Sequence, residues 1–458
     1  MRTMTTATLA TQRRSMRANT ATASNAELPW LLLGGTVLVA GVAARFLGTT
    51  AALAALAVPL VPLLVLAPQH ALLLVIAAIP FDAVAALGDA RTLSVTRLLG
   101  TAVLGGWVLH AIVFRRRLQL EAPARWLLAY VAFAGVSIYW ADNRDAAIAS
   151  WTTLVQLFGL YLMASQVLTG PRALGRALDT LVVATLVLSL LVLWQLPQLG
   201  PLARATLRYG DQTYNANYLA ATLVFPSVAA LGLGRGASGW RLLALVPIVV
   251  ATVTTGSRGG GAALLTGLLV AAAVRPRLGT RAVGIVLLLA VAAPLVASSP
   301  YVERMWQRFG AASEDRLSGR LDIWKVGAAV VADHPLAGTG LAGFPEAFNQ
   351  YVLHANVDPR WALEHVEGHR VAHNVYLGAA AELGVVGGVL LLGALLAHGR
   401  RAWRAARRVA AGPGPALLGI FASLAVFGTT IDLLTMKLTW LLLAMMHALP
   451  RATAGRSA

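Results

Sequence analysis

Two arginine motifs and a histidine run carry the chemistry in an otherwise apolar chain. The first motif is Thr254-Thr255-Gly256-Ser257-Arg258-Gly259-Gly260-Gly261, a turn between two apolar stretches. A planar guanidinium suits a phosphate or diphosphate, which it meets with parallel N–H donors. Flanking glycines let the backbone approach a ligand closely. The same arginine could instead snorkel from a tight turn to lipid headgroups. The second motif, Ser318-Gly319-Arg320-Leu321-Asp322-Ile323-Trp324, runs on to Asp333-His334-Pro335-Leu336-Ala337-Gly338-Thr339-Gly340. Leu321, Trp324, Ala328 and Val331 recur at a spacing of three or four, the pattern of an amphipathic helix that Pro335 ends. Arg320 opens this helix, either as a functional cation or as a helix-end charge beside an interfacial Trp.

The histidine run is His365-Val366-Glu367-Gly368-His369-Arg370-Val371-Ala372-His373-Asn374. On one helix, histidines spaced by four share a face, which makes zinc tempting. The His-Glu-x-x-His order is missing, and Gly368 weakens a helix. His373 alone is the better candidate. At a loop–span boundary, an imidazole of near-neutral pKa can take a proton from a hydroxyl; the alternative is an interfacial histidine without a role. Arg97, in Ser94-Val95-Thr96-Arg97, and Arg208, in the loop 198–215, either join a phosphate cluster or are ordinary interfacial charges. Glu382 and Asp432, in or near late apolar stretches, read as a proton relay or a structural pair; Glu382 could also simply bond a neighbouring helix.

These groups need elements to hold them, and the composition dictates which. Hydrophobic residues make up 58% of the 458, charged residues 12%, and the mean hydropathy is +0.70. That leaves too little polar surface to cover a water-soluble core, so lipid must solvate the chain. A bilayer-spanning helix takes roughly 20 apolar residues. Up to fourteen such stretches run from 29–46 to 437–449, some broken by Pro80, Pro197 or Pro226. The expectation is an all-α polytopic integral membrane protein of about 12–14 transmembrane helices, with one large extracytoplasmic loop containing amphipathic helices. The absence of cysteine excludes disulfides, thiolate metal sites and a cysteine nucleophile.

The net charge is +18, and all but Lys325 and Lys437 of the 37 bases are arginine. With an inside N-terminus, 22 bases fall in cytoplasmic segments, 8 in short outer connections and 7 in the loop 299–374. This is the positive-inside pattern, so the basic balance reports topology and not nucleic-acid binding. The expected organisation is a disordered cytoplasmic tail 1–28, a transmembrane bundle 29–298, a periplasmic catalytic loop 299–374, transmembrane helices 375–449 and a cytoplasmic tail 450–458. The loop holds five of the nine histidines, and polar chemistry concentrated there marks it as the place to seek function.

In this order, Thr255-Gly256-Ser257-Arg258-Gly259, Arg320 with Trp324, His334-Pro335-Leu336-Ala337-Gly338-Thr339-Gly340, His373-Asn374-Val375-Tyr376 and Glu382-Leu383-Gly384-Val385-Val386-Gly387 resemble the O-antigen ligase and polymerase superfamily. Asn215-Ala216-Asn217-Tyr218-Leu219-Ala220 is similar to that family's Asn-rich start of a middle span. The resemblance covers roughly 210–395. It implies an inverting glycosyltransferase of the bacterial inner membrane. The donor would be a glycan on undecaprenyl diphosphate, and the acceptor a hydroxyl of lipid A–core, a second glycan or a protein. No nucleotide sugar, metal or other cofactor is implied. Carried over by position, Arg258 and Arg320 hold the diphosphate, His373 is the general base or orients the acceptor, and Asn374 supports it. Arg97, Arg208 and Asn217 join substrate binding. His365 and His369 lie outside the signature and leave a metal-assisted variant open.

Ligase, polymerase and protein-glycosylating enzymes share these motifs; ligase is our reading and polymerase the alternative. A lipid-linked sugar transporter fits less well, because transporters show internal repeats and mid-membrane broken helices, and the polar groups here lie at the outer edge. The split of bases yields a test of orientation. A reporter active only outside the cytoplasm should work when fused near residue 350 and fail when fused at residue 458. The reverse pattern would sink the orientation.

Overall fold

The computed structural model describes residues 64–82, 94–196, 208–209, 212–213, 215–232, 239–275, 319–366, 368, 370–408 and 413–454. The expected tail 1–28, the stretches 29–46 and 281–298, and residues 299–318 of the long loop lie outside them. The chain forms two compact units, 1–75 with 101–117 and 76–100 with 118–458. In the first, a ring nitrogen of His110 lies 2.7 Å from the Val65 carbonyl oxygen. The second carries all the candidate site residues.

In chain order the helices are α1 (Pro68–Ala78), α2 (Val95–Val113), α3 (Ala122–Val136), α4 (Arg144–Val167), α5 (Pro171–Gln195), α6 (Ala216–Gly232), α7 (Gly239–Thr254), α8 (Arg258–Val274), α9 (Arg320–Asp333), α10 (Phe344–Tyr351), α11 (Pro359–His365), α12 (Val375–Arg408), α13 (Gly414–Phe427) and α14 (Lys437–Ala454). A two-residue antiparallel pairing, Arg208–Tyr209 with Gln212–Thr213, is the one two-stranded sheet among the described residues. Among those residues, four helices are long and apolar enough to cross a membrane: Thr96–Val113, Arg144–Val167, Pro171–Gln195 and Val375–Arg408. Shorter apolar helices of 10–17 residues accompany them. The chain is an all-α, polytopic membrane protein.

Helix starts follow local chemistry. Asn143 caps α4, its side-chain oxygen accepting the Ala146 N–H at 3.0 Å. Proline stands in the first turn of α5, α10 and α11, where its missing donor costs nothing. Packing between α8 and α13 relies on small residues. A methyl group on Gly267 would strike Ser423 and the Gly419 carbonyl, and the Ser423 hydroxyl donates to the Ala263 carbonyl at 2.7 Å. Such close approach is how helices associate where lipid is as apolar as leucine.

The longest helix, α12, is broken. Gly384 has φ 62° and ψ −164° in its interior. The break frees backbone groups that lipid cannot satisfy. The segment 335–340 takes them up. Thr339 N–H donates to the Ala381 carbonyl at 3.0 Å and Gly340 N–H to the Glu382 carbonyl at 2.8 Å, while Val385 N–H donates to the Pro335 carbonyl at 2.8 Å. Gly338 (φ 68°) would, as alanine, strike the Glu382 carbonyl, and Gly384 would strike that of Leu336. Two motifs of the signature, 334–340 and 382–387, thus form one joint.

At the other end of α12, the Tyr161 hydroxyl lies between His398 Nε2 at 3.0 Å and His447 Nδ1 at 2.6 Å, with all three side chains buried. Beside them Arg401 pairs with Glu121 and donates to the His447 carbonyl at 2.9 Å. This knot ties α12 to α4 and α14.

The two ends of the break test the joint. Gly384→Ala should lower stability by upwards of about 1–2 kcal/mol, the cost of left-handed backbone with a Cβ, before the clash is counted. Gly388→Ala, four residues on with nothing within 4 Å of a new methyl group, should be neutral or stabilising. Thermal unfolding of both variants in detergent measures the difference, and equal midpoints would refute the reading.

Candidate functional site

The first site residue opens α8. Ser257 caps that helix, its Oγ accepting the Gly260 N–H at 3.2 Å, and Gly256 turns the chain with φ 59°. Thr255 Oγ1 accepts the Ser257 N–H at 3.2 Å and donates to the Thr252 carbonyl at 2.7 Å. Arg258 is therefore the first helical residue after a braced turn. The glycines that follow serve packing: a methyl group on Gly259 would meet Thr430, and one on Gly260 would come within 3.0 Å of Ala220 Cβ. Gly261 alone faces open space.

Arg320 opens α9 in the same manner. Its N-cap, Gly319, has φ 74°, and the Trp361 indole nitrogen lies 3.2 Å from where a Cβ would stand. Burial, and after it the charge of Arg258, lowers the pKa of the Arg320 guanidinium, which stays cationic. The two arginines, 62 positions apart, are electrostatic neighbours.

His373 stands just before α12 with φ 48°, a left-handed backbone for a non-glycine residue. Both its flanks are held. Before it, Trp324 Nε1–H donates to the Ala372 carbonyl at 3.1 Å. After it, Asn374 Oδ1 accepts the Tyr376 and Leu377 N–H groups at 3.0 and 3.2 Å, capping α12. Val375 N–H donates to the Gly428 carbonyl at 2.8 Å, tying this helix start to α13. Burial first, then the charges of Arg320 and Arg370, hold the His373 imidazole below its ordinary pKa. It is neutral at pH 7 and able to accept a proton.

Arg258, Arg320 and His373 are thus brought together, each at or beside the start of a helix. A helix start carries a partial positive charge even where its N–H groups are capped, so these three starts with two guanidiniums favour an anion. Two cations within electrostatic range repel each other, and an anion between them would relieve that repulsion.

The other predicted residues are distributed differently. Arg97, at the start of α2, donates from Nε to Gln156 Oε1 on α4 at 2.9 Å. Asn217 lies in the first turn of α6, its N–H donating to Asn215 Oδ1 at 2.8 Å. Arg208 lies in the short β pairing, and its side chain is outside the described residues. Asn374 acts first as a helix cap. The Glu382 carboxyl accepts the Ala342 N–H in the loop and the Phe344 N–H at the start of α10. Helix α11 ends at His365, so the four-residue histidine spacing does not continue along one helix. The His365 ring stacks on Trp361 at 4.4 Å, and its Nδ1 lies 2.8 Å from the Trp361 carbonyl. His369 lies outside the described residues. Among the described residues, no three His, Asp or Glu side chains stand close enough together to hold a metal ion.

Sequence reasoning passed over Arg370, whose charge acts on His373. The signal was present: a base three residues before the candidate histidine, within one motif.

Residues 243–392 match the family model described as O-antigen ligase. The match takes in Arg258, Arg320, His373 and both halves of the α12 joint, and leaves Arg97, Arg208 and Asn217 outside. No curated protein matches the chain. Residues 243–392 are thus similar to the O-antigen ligase family, as the motif order implied, within a polytopic membrane protein.

Proposed function

We propose that the protein is an O-antigen ligase: on the periplasmic face it transfers a glycan from undecaprenyl diphosphate to a hydroxyl of lipid A–core, with inversion and without a metal. The matched domain supports a ligase- or polymerase-type activity in general. The observation that supports transfer from a diphosphate without a metal, common to ligase and polymerase, is the adjacency of Arg258, Arg320 and the neutral His373 at three helix starts. In this reading both termini are cytoplasmic and the loop 299–374 is periplasmic.

The chemistry needs little more. The acceptor oxygen attacks the anomeric carbon opposite the leaving group. The carbon–oxygen bond to phosphate breaks, and its electron pair leaves on the diphosphate. Arg258 and Arg320 hold that charge by bidentate bonds, the part a divalent cation plays elsewhere. The hydroxyl proton passes to the His373 imidazole. Asn374 holds the helix start that His373 precedes. Arg97, set by Gln156, binds the donor together with Arg208 and Asn217. No nucleic acid is involved; membrane lipids surround the bundle.

The glycan profile of a deletion strain tests the reaction class. Loss of all capped lipopolysaccharide is the expected result, whereas retention of a single repeat unit would identify a polymerase.

Purified protein tests the roles. Arg258→Lys and Arg320→Lys should each lose most transfer, because lysine keeps the charge but not the bidentate fork. His373→Ala should slow transfer by about 10²–10⁴-fold while keeping donor binding. Because a base must be unprotonated and this imidazole lies below its ordinary pKa, wild-type activity should rise with pH along a limb below about 6.5. EDTA should not inhibit. Full activity in both lysine variants, or zinc-restored activity after chelation, would sink the scheme.

A further inference from the structure

His373 has no regular secondary structure of its own, yet it holds φ 48°. A side-chain-bearing residue stays in that region only where its surroundings leave no alternative. On its C-terminal side the capped start of α12 supplies the restraint. On its N-terminal side the restraint comes from α9. Ala372 is buried in a cluster with Ile323, Val326 and Val330 of that helix. A side-chain hydrogen bond also reaches this backbone, from the Trp324 indole to the Ala372 carbonyl, at 3.1 Å.

Trp324 lies four residues after Arg320, so the two share a face of α9. The helix is seated firmly against α12: a methyl group on Gly327 would come within 2.8 Å of Leu377. One rigid helix therefore carries the arginine at its first turn and, one turn on, the donor that fixes the peptide entering His373. The spacing between guanidinium and imidazole is thus built into α9 and its bond to Ala372.

We propose that Trp324 is a positioning residue of the transfer reaction: its indole N–H, bonded to the Ala372 carbonyl, fixes His373 at a set distance from Arg320. This rests on the reading of His373 as the general base. The indole touches no substrate and acts only through the histidine. Packing alone would need the ring but not its N–H.

Trp324→Phe separates the two, since it keeps an aromatic ring and removes the donor. The assay uses the full chain in detergent, a lipid-diphosphate-linked glycan and a hydroxyl acceptor. Expected is a kcat lower by about 10- to 100-fold, the scale of a misplaced catalytic group, with the donor KM unchanged because Arg258 and Arg320 are untouched. The acid limb of the pH profile should move up toward about 6.5, as the released imidazole leaves its buried place among cations. An unchanged kcat and acid limb in a folded Trp324→Phe overturns the proposal. A wild type that transfers nothing overturns the functional reading instead, so the two failures differ. Should the variant not fold, hydrogen exchange at the Trp324 indole of labelled wild type decides. Protection against exchange supports the bond, and exchange as fast as in an exposed indole overturns the proposal.

Discussion

A peptide group inside a bilayer must find a hydrogen-bond partner within the protein, and the break in α12 at Gly384 makes that demand acute. The answer is the segment 335–340, whose N–H and carbonyl groups complete the helix on both sides of the break. The middle of the loop is therefore part of the helical scaffold. Because that segment follows directly from α9, the pairing also sets where α9 lies. Because the break lies in α12, it sets the helix that begins beside His373. Arg320 and His373 are thus located by a set of main-chain bonds that involve neither side chain.

The electrostatics follow from that placement. Burying one guanidinium beside another is unfavourable unless an anion is present, and a protein selected for stability alone would avoid it. Three helix starts reinforce the positive field and do not offset it. The cost is local, whereas the scaffold around it is tight: small residues between α8 and α13, a cluster of buried aromatics and aliphatics among α9–α11, and capped turns at Ser257 and Asn374. Strain and like charge gather where a ligand would bind.

The fold class was legible because lipid leaves a compositional imprint: apolar stretches near twenty residues need no tertiary context to be recognised. Most described helices start within a few residues of the apolar stretches read from sequence, as α2, α6, α8, α13 and α14 do. The residues of the site were legible as a motif order, since Arg258, Arg320 and His373 each stand beside glycine, proline or asparagine signals of a helix start. Their purposes were less so. The glycines after Arg258 read as room for a ligand, yet Gly259 and Gly260 make room for Thr430 and Ala220, which only the packing of distant helices reveals. The histidine spacing suggested one helical face, but α11 stops at His365, where the ring stacks on Trp361. Glu382 read as an intramembrane acid; its partners are amides 38 and 40 positions away, which no local pattern encodes.

The Tyr161–His398–His447 knot gives α12 a second fixed point. Gly384 and His398 stand fourteen positions apart on the helix, a rod of about 21 Å with an anchor at each end. Inserting one residue between the anchors would turn one relative to the other by about 100° and slide it by about 1.5 Å, so both could not stay engaged. The segment is therefore a ruler. Its exposed positions, such as Val385, Val389 and Leu392, are free to drift among apolar residues, but its length is not. Related chains that keep both anchors must keep the count between them, and those that alter the count must have abandoned one end.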